Sequence, residues 1–256
     1  MKAELTTSWV VLFGGAGREK AVLRLHSEGV PLKVIIVPRQ RSAKLEQSVD
    51  TLRQRRIPLL EVTRATSSDA LKDFLGSGLL SVGFPFIIPA DVLLNFRPAI
   101  NVHPTLLPRY RGPTTAAHIL INNEGESGST VHLMEALPDR GDILAQSRVT
   151  LTPFDTVRSM QRKVYATEPD LVMNALNALH RGAEPTRQDE RLASEYPRRR
   201  TPEDSEIDAS QPLSSLLNHI RACDPEEFPA FFFHMGEKVC IRLWRPDKQR
   251  DADDEI

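Results

Sequence analysis

The sequence predicts an α/β fold with a Rossmann-like, mixed but mostly parallel sheet, helices on both faces, and a small C-terminal helix-hairpin subdomain. Two observations lead to this fold class. Short apolar segments that resemble strands alternate with segments of helical periodicity, an order typical of a parallel sheet covered on both faces. Farther along the chain, two strand-like segments are joined by a short loop. We expect these two to pair antiparallel, which makes the sheet mixed.

The predicted elements follow from hydrophobic periodicity and from capping and turn residues. The predicted parallel strands are 10–13, 33–37, 59–62, 79–82 and 100–102. The predicted helices between them are 18–28, 42–55 with Ser42 as its cap, and 67–75. After the fifth strand, the sequence predicts a helix at 113–122, antiparallel strands at 129–135 and 143–149, and a long helix at 156–181.

Composition changes where the long helix ends, and this change predicts the domain boundaries. We assign 1–184 to the main α/β domain and 185–206, which is rich in Arg, Glu and Pro, to a linker. A small subdomain is predicted at 207–246, with a helix and a hairpin. The charged tail at 247–256 is expected to be disordered.

Length, charge and cysteine content exclude several classes of protein. The chain has 256 residues, a formal net charge of -1 and 40% hydrophobic residues. No apolar run approaches the roughly 20 residues that a membrane-spanning helix needs. The first residues also lack the apolar segment of a secretory signal, so we expect a cytoplasmic protein. Cys223 and Cys240 form neither a disulfide framework nor a zinc-ligand pattern, and the near-neutral charge argues against nucleic-acid binding.

The residues that can carry chemistry follow the fifth predicted strand. The run from Asn101 to Gly112 reads Asn-Val-His-Pro-Thr-Leu-Leu-Pro-Arg-Tyr-Arg-Gly. Because side chains alternate along a strand, Asn101 and His103 are predicted to share one face at the carboxyl end of the sheet, where open α/β sheets bind ligands. Asp139 lies in the loop between the two antiparallel strands, and this loop can fold over the pair.

An Asn, a His and an Asp around one pocket can transfer an acyl group without a side-chain nucleophile. The imidazole moves a proton, the amide donates to a developing oxyanion, and the carboxylate orients the imidazole. We therefore identify Asn101, His103 and Asp139 as candidate catalytic residues and interpret Asp142 as a turn residue. This interpretation requires an imidazole that is not buried away from solvent and a carboxylate within hydrogen-bond reach of it, directly or through one water.

The other histidines have no such partners and are predicted to be structural or solvated. They are His26, His118, His132, His180, His219 and His234. Among them, His132 lies on the strand that leads to Asp139 and is therefore the one to check.

The run from Asn101 to Gly112, followed by Asp139-Arg140-Gly141 and Ile143, resembles the folate-dependent formyltransferases. This family includes glycinamide ribonucleotide formyltransferase, methionyl-tRNA formyltransferase and the enzymes that N-formylate amino sugars on nucleotide carriers. The resemblance extends from about Val10 to Pro246. It implies that 1–184 is the catalytic domain, that N10-formyltetrahydrofolate is the formyl donor, that a primary amine is the acceptor, and that no metal takes part.

The resemblance also implies which residues contact the folate. In the family, the loop after the fourth strand hydrogen-bonds the pterin ring through its backbone and forms an apolar slot with its side chains. A flat aromatic ring needs such apolar walls. The implied folate contacts in this chain are Phe86, Ile87, Ile88, Pro89, Leu106, Leu107, Asp139 and Gly141.

A glycine-rich turn after the first strand is a candidate phosphate site. The segment 14–20 lacks the third glycine of the dinucleotide-binding pattern. Gly15 and Gly17 nevertheless leave backbone N–H groups at the start of a helix, where a phosphate of the acceptor can bind. A tight turn that serves packing explains these glycines equally well.

Four further residues are predicted to contact the acceptor. Tyr110 and Arg111 belong to the family motif. Arg199 and Arg200 lie in a basic triplet, which is usually a solvated surface. The surrounding pattern Tyr-x-x-Arg-Arg-Thr-Pro-x-Asp, however, resembles the linker of the aminoarabinose formyltransferase and its sugar relatives.

This linker favours an amino sugar on a nucleotide carrier as the acceptor, with a homodimer as one possible assembly. A small amine of the hydroxyornithine type, methionyl-tRNA, and hydrolysis of formyltetrahydrofolate stay open as alternatives. A tRNA substrate ranks low, because the family implies an additional C-terminal barrel for it and only 49 residues follow position 207. A non-enzymatic binding module is the remaining class, and the intact Asn101, His103 and Asp139 argue against it.

Overall fold

A seven-stranded mixed sheet forms the centre of the structure, a computed structural model that describes residues 7–247 and 256. Its strands are β1 (Trp9–Phe13), β2 (Leu32–Pro38), β3 (Leu59–Val62), β4 (Gly78–Val82), β5 (Ala99–His103), β6 (Glu126–Leu133) and β7 (Ile143–Thr150). The strand order is β3-β2-β1-β4-β5-β6-β7. The first five strands pair parallel, and β6 and β7 run antiparallel to their neighbours. The predicted fold class is therefore confirmed.

Helices connect the strands at the predicted places, except for one short helix after β4 that the sequence did not predict. They are α1 (Glu19–Ser27), α2 (Ala43–Arg53), α3 (Ala90–Leu93), α4 (Ala116–Ile121), α5 (Val157–His180) and α6 (Leu213–Arg221). The Ser42 side chain accepts from Leu45 N and caps α2 as expected. The predicted helix at 67–75 is instead a 3₁₀ helix, Asp69–Phe74. Strand β6 starts three residues earlier than predicted, because its small and polar first residues show no apolar alternation.

The central strand β1 is buried on both faces, so its side chains alternate between two cores. Val11 and Phe13 pack in the cluster that contains Leu25 of α1 and Leu171 of α5. Val10 and Leu12 point the other way, into the cluster that contains Ile88 and Phe96. This arrangement accounts for the continuous apolar run of the strand, which is typical of a parallel sheet covered on both sides.

A buried ion pair joins the sheet to α1 and α5. The guanidinium of Arg18 donates from Nε and Nη2 to both carboxylate oxygens of Glu168, at 2.8 and 2.7 Å. Arg18 is 4% exposed and Glu168 is fully buried. Nη2 of Arg18 also donates to Val102 O at 2.9 Å, and Ser129 Oγ donates to Glu168 at 2.8 Å. The pair therefore ties both helices to β5 and β6.

The segment 185–206 was predicted to be a linker, and in the structure it is bonded to the main domain. Residues 186–196, which we call the strap, pair with β7 through the bridge between Ile143 and Thr186. A second bridge joins Arg111 to Glu195 of the strap. The boundaries at 184 and 206 stay a prediction, but the segment between them is anchored along its length.

The predicted helix and hairpin of the C-terminal subdomain are present as α6, β8 (Ala230–His234) and β9 (Glu237–Ile241). Arg221 docks α6 on the main domain, because its buried guanidinium donates to the carbonyls of Thr152 and Asp155. The expected disorder of 247–256 lies outside the described residues, except for 247 and 256. Among the helices of the described ranges, none is long and apolar enough to cross a membrane.

We expect Arg18→Met to destabilise the protein by about 3–5 kcal/mol, because it leaves the Glu168 carboxylate buried without its counter-charge. The double variant Arg18→Met/Glu168→Leu should regain much of this loss. Urea unfolding measures both. Arg24→Gln on the same helix is the control: its ion pairs are partly exposed, so its effect should stay below about 1 kcal/mol. A single variant at Arg18 as stable as the wild type would contradict this role.

Candidate active site

Strand β5 presents Asn101 and His103 at its carboxyl end, as the alternation of the strand requires. The antiparallel neighbour β6 places His132 directly opposite Asn101 and Thr130 opposite His103. The loop that follows β6 then returns over this end of the sheet and brings Asp139 to the pair. The predicted site residues therefore meet where β5 ends.

His103 makes one contact through each ring nitrogen. Nε2 lies 2.9 Å from the carbonyl oxygen of Tyr110, and since a carbonyl only accepts, Nε2 carries the proton. Nδ1 lies 3.4 Å from Oδ1 of Asp139. In the neutral ring, Nδ1 is thus the basic nitrogen, and a proton bound there faces a carboxylate.

The Asp139 carboxylate is held from several sides. The backbone N–H of Gly112 donates to its Oδ2 at 3.0 Å. Burial alone raises the pKa of Asp139, but the nearby charge of His103, the imidazole of His132 and the Gly112 amide outweigh it, and the pKa lies well below the usual carboxyl value. Asp139 is therefore ionised at neutral pH.

Burial shifts the pKa of His103 in the opposite direction from that of Asp139. Removing the ring from water disfavours its charged form and lowers the pKa of His103. Asp139 and the Tyr110 carbonyl raise the pKa, and the positive charge of Arg18 adds to the lowering, so the net direction is downward. A neutral imidazole beside an ionised carboxylate is the arrangement expected of a general base at neutral pH.

His132 completes the site, although the sequence singled it out only for its position before Asp139. Its Nδ1 donates to Leu133 O at 2.7 Å, which leaves Nε2 as an acceptor. Nε2 lies 3.1 Å from Nδ2 of Asn101 and 3.7 Å from Oδ1 of Asp139. An amide nitrogen carries two hydrogens, so Asn101 can donate to His132 and still offer one hydrogen to an oxyanion.

The register of β5 against β6 creates this contact. Asn101 and His132 are 31 residues apart in the chain. Only the strand pairing reveals that they are neighbours, and no motif in the sequence marks it.

The sequence interpretation requires an imidazole that is not buried away from solvent and a carboxylate within hydrogen-bond reach of it. The Asp139 carboxylate is within reach of the imidazole, as required. The His103 side chain is largely buried, with 8% of its surface exposed. The imidazole is therefore buried, and the requirement that it be open to solvent is not met.

The side chains of the predicted folate loop, residues 86–89, point partly to solvent and partly into the core. Ile87 is 73% exposed and Pro89, which precedes α3, is exposed as well. Phe86 is half-buried and meets Phe84 edge-to-face at 5.2 Å between ring centroids. Ile88 is buried in the second core cluster. The side chain of Ile88 therefore packs in the core and does not form the wall of a slot, which corrects that part of the prediction.

The other predicted folate contacts lie at the edge formed by β6 and β7. The backbone of Leu107 accepts from Gln146 and its N–H donates to Thr130, so this buried residue is fixed in place. Leu106 is half-buried. Gly141 is buried, and a Cβ there would lie 2.0 Å from Leu133 O. Packing alone thus requires a glycine at 141.

The glycine-rich turn after β1 has its amides occupied within the protein. Gly15 N donates to Val82 O at 3.1 Å, and Gly17 N donates to Ser48 Oγ at 2.9 Å. These bonds favour the packing interpretation of the turn, one of the two that the sequence left open.

Tyr110 and Arg111 point into the protein. The Tyr110 ring stacks on Tyr196 with centroids 5.5 Å apart, and burial together with Glu124 raises the pKa of Tyr110 to about 12. The Arg111 guanidinium, in a residue only 3% exposed, binds Gln188 and Glu190 of the strap. Both side chains therefore serve internal contacts, which corrects their predicted use as acceptor contacts.

The two predicted arginines of the basic triplet differ. Arg200 is half-buried and donates to Asp204 O at 2.8 Å. Arg199 is exposed, and in the described part of the chain its side chain has no hydrogen bond or ion pair. A role for either in acceptor binding stays a prediction.

The family model described as formyl transferase matches residues 32–176, more than half of the chain. The chain belongs to the formyl transferase family. The matched span includes Asn101, His103, His132 and Asp139, so the resemblance found in the sequence is confirmed for the region that forms the site.

Solved structures of other formyltransferases share the fold of this formyltransferase. A sugar N-formyltransferase from Shewanella is 20% identical, with a TM-score of 0.74 over 92% of this chain and 96% of its own. A 4-N formyltransferase from Francisella tularensis is 17% identical, with a TM-score of 0.76 over 94% and 98% of the two chains. The sugar 3N-formyl transferase WlaRD, in the presence of dTDP and 5-N-formyl-THF, is 19% identical, with a TM-score of 0.62 over 86% and 80%.

Within residues 7–247 and 256, no group of three or more His, Cys, Asp or Glu side chains could hold a metal ion. The two imidazoles near Asp139 are instead occupied by the backbone and by Asn101. Their nitrogens therefore serve hydrogen bonds that fix the site.

We expect Asp139→Asn to lower the pKa of His103 below its wild-type value, because the carboxylate offsets the effect of burial on the charged ring. An NMR titration of the histidine rings measures the change. Asp142→Asn is the matched control in the same loop, where Asp142 uses its carbonyl to accept from Leu133 N, and its His103 titration should equal that of the wild type. Equal titrations for both variants would contradict the pairing of His103 with Asp139.

Proposed function

We propose that this formyltransferase moves a formyl group from N10-formyltetrahydrofolate to the amino group of a sugar on a nucleotide carrier. The single observation that carries the proposal is the meeting of His103, Asp139 and Asn101 at the carboxyl end of β5. The family membership supports formyl transfer. The sugar formyltransferases that share the fold, one of them with dTDP and a formylated folate, support the acceptor and donor classes.

The loop after β4 suits a folate as the co-substrate. Ile87 exposes most of an apolar side chain there, next to the half-buried ring of Phe86. Apolar groups of this kind stack against a flat heterocycle, while backbone N–H and C=O groups of the loop read its edge. Leu106 lies beside Gly128 near the start of β6, and Gly141 lies beside Leu133 at its end.

The chemistry we propose uses His103 as a proton carrier. The acceptor nitrogen forms a bond to the formyl carbon, and the carbonyl oxygen becomes an oxyanion that takes a hydrogen bond from Asn101. Nδ1 of His103 removes the proton from the attacking amine, and Asp139 stabilises the imidazolium that results. The bond from the formyl carbon to N10 then breaks, and the proton passes to N10, which leaves as tetrahydrofolate.

Other properties inferred from the sequence stay predictions. They include the cytoplasmic location, the small amine alternative and the hydrolysis of formyltetrahydrofolate. A homodimer is consistent with exposed apolar side chains around the hairpin, among them Phe233, Met235 and Trp244.

We expect His103→Ala and Asp139→Ala to lower turnover on the order of 10²–10⁴-fold, because each removes part of the proton-transfer pair. Affinity for the folate should change little in His103→Ala, because His103 is not among the residues predicted to contact the folate. Formation of tetrahydrofolate measures turnover, and fluorescence titration measures folate binding. His180→Ala, at the exposed end of α5, is the control and should turn over like the wild type. Wild-type turnover in either active-site variant would refute the roles assigned here.

The acceptor class can be tested by calorimetric titration with nucleoside diphosphates and, separately, with hydroxyornithine-type amines. We expect the nucleoside diphosphates to bind, because the proposed acceptor carries its sugar on a nucleotide. Binding should weaken at Arg199→Gln if this exposed arginine meets the carrier phosphates. Tight binding of the amines alone would refute the sugar proposal and leave the formyl donor unaffected.

A further inference from the structure

The strap (residues 186–196) is bonded to both loops that carry the active site. On one side, Thr186 exchanges two backbone hydrogen bonds with Ile143, at 2.7 and 2.8 Å, directly after the Asp139 loop. On the other side, Arg111 N donates to Ser194 O at 2.9 Å, and Tyr196 N donates to Arg111 O at 2.8 Å. One segment therefore connects the loop after His103 with the loop that contains Asp139.

Gln188 makes the contacts of the strap with the Asp139 loop. Its Nε2 donates to Asp139 O at 3.0 Å and to Gly141 O at 2.7 Å. Its Oε1 accepts from Arg111 Nη2 at 2.7 Å. Gln188 is 5% exposed, so every polar atom of this side chain is used inside the protein, between the two loops.

The Asp139 loop needs such support, because its backbone is strained. Asp139 has a φ of 60°, a left-handed conformation that costs a non-glycine residue free energy. Gly112, whose amide binds the Asp139 carboxylate, has a φ of 108° and lies so close to Tyr196 O that a Cβ would be 2.3 Å from it. The strap thus touches both the residue that carries the carboxylate and the residue that binds it.

We propose that Gln188 is a positioning residue for the formyl transfer, and that the strap sets the position of Asp139 against His103 through it. This inference rests on the proposed function. Arg111 orients Gln188, and the two donated hydrogen bonds hold the Asp139 backbone so that its carboxylate faces Nδ1 of His103. Gln188 acts through Asp139 and is not expected to touch either substrate.

The test is Gln188→Met in the full chain, which keeps the length of the side chain and removes both donors. We expect kcat to fall on the order of 10²-fold, with an unchanged KM for N10-formyltetrahydrofolate. The pKa of His103, titrated by NMR without substrates, should fall below its wild-type value as the carboxylate moves away. Arg191→Gln is the control, since this exposed strap residue bonds Asp189, and it should match the wild type in all three measurements.

A second variant separates the hydrogen bonds that Gln188 donates to the Asp139 loop from the one that it accepts from Arg111. Gln188→Glu still binds Arg111 but cannot donate to two carbonyls, so its kcat should fall as in Gln188→Met. Wild-type kcat in Gln188→Glu would overturn the proposal, as would a wild-type His103 titration in Gln188→Met. Failure of the proposed function looks different: the wild type itself would then form no tetrahydrofolate with an amine, while the titration would still report whether Gln188 places Asp139.

Discussion

The buried ion pair between Arg18 and Glu168 is the contact on which the site depends. Two charges held out of water are stable only when their geometry and remaining hydrogen bonds are satisfied. Here the remaining bonds go to Val102 and Ser129, on the two strands that carry His103 and His132. The pair therefore fixes β5 against β6 immediately before the imidazole of His103. It also places the positive charge of Arg18 near that imidazole, and this charge disfavours protonation of the ring.

Burial and hydrogen bonding in the site determine the protonation states of His103 and Asp139. Burial favours the neutral form of His103, while the backbone amide of Gly112 donates to Asp139 and favours its ionised form. The resting site is thus a base next to an anion. When a proton arrives at Nδ1, the ion pair that forms lies in an environment where electrostatic attraction is strong.

Sequence patterns identified what depends on local order and missed what depends on distant pairing. Asn101 and His103 were predictable because alternation along one strand puts them on one face. His132, Gln188 and the ion pair were not, because their partners lie 31, 49 and 150 residues away. Tyr110 and Arg111 were interpreted as acceptor contacts because they belong to the motif. Membership of a motif does not fix the direction of a side chain, and both point inward.

The strap connects the loops around His103 and Asp139 to the basic triplet that follows it. It begins at β7, crosses both active-site loops and ends at Tyr196, which stacks on Tyr110 and His118. The basic triplet at 198–200 follows directly, and Arg200 N donates to Thr114 Oγ1, two residues beyond Gly112. The position of the triplet is therefore coupled to the loop that binds Asp139. A displacement of the triplet therefore also displaces the loop that binds Asp139, because Thr114, which accepts from Arg200 N, lies two residues from Gly112.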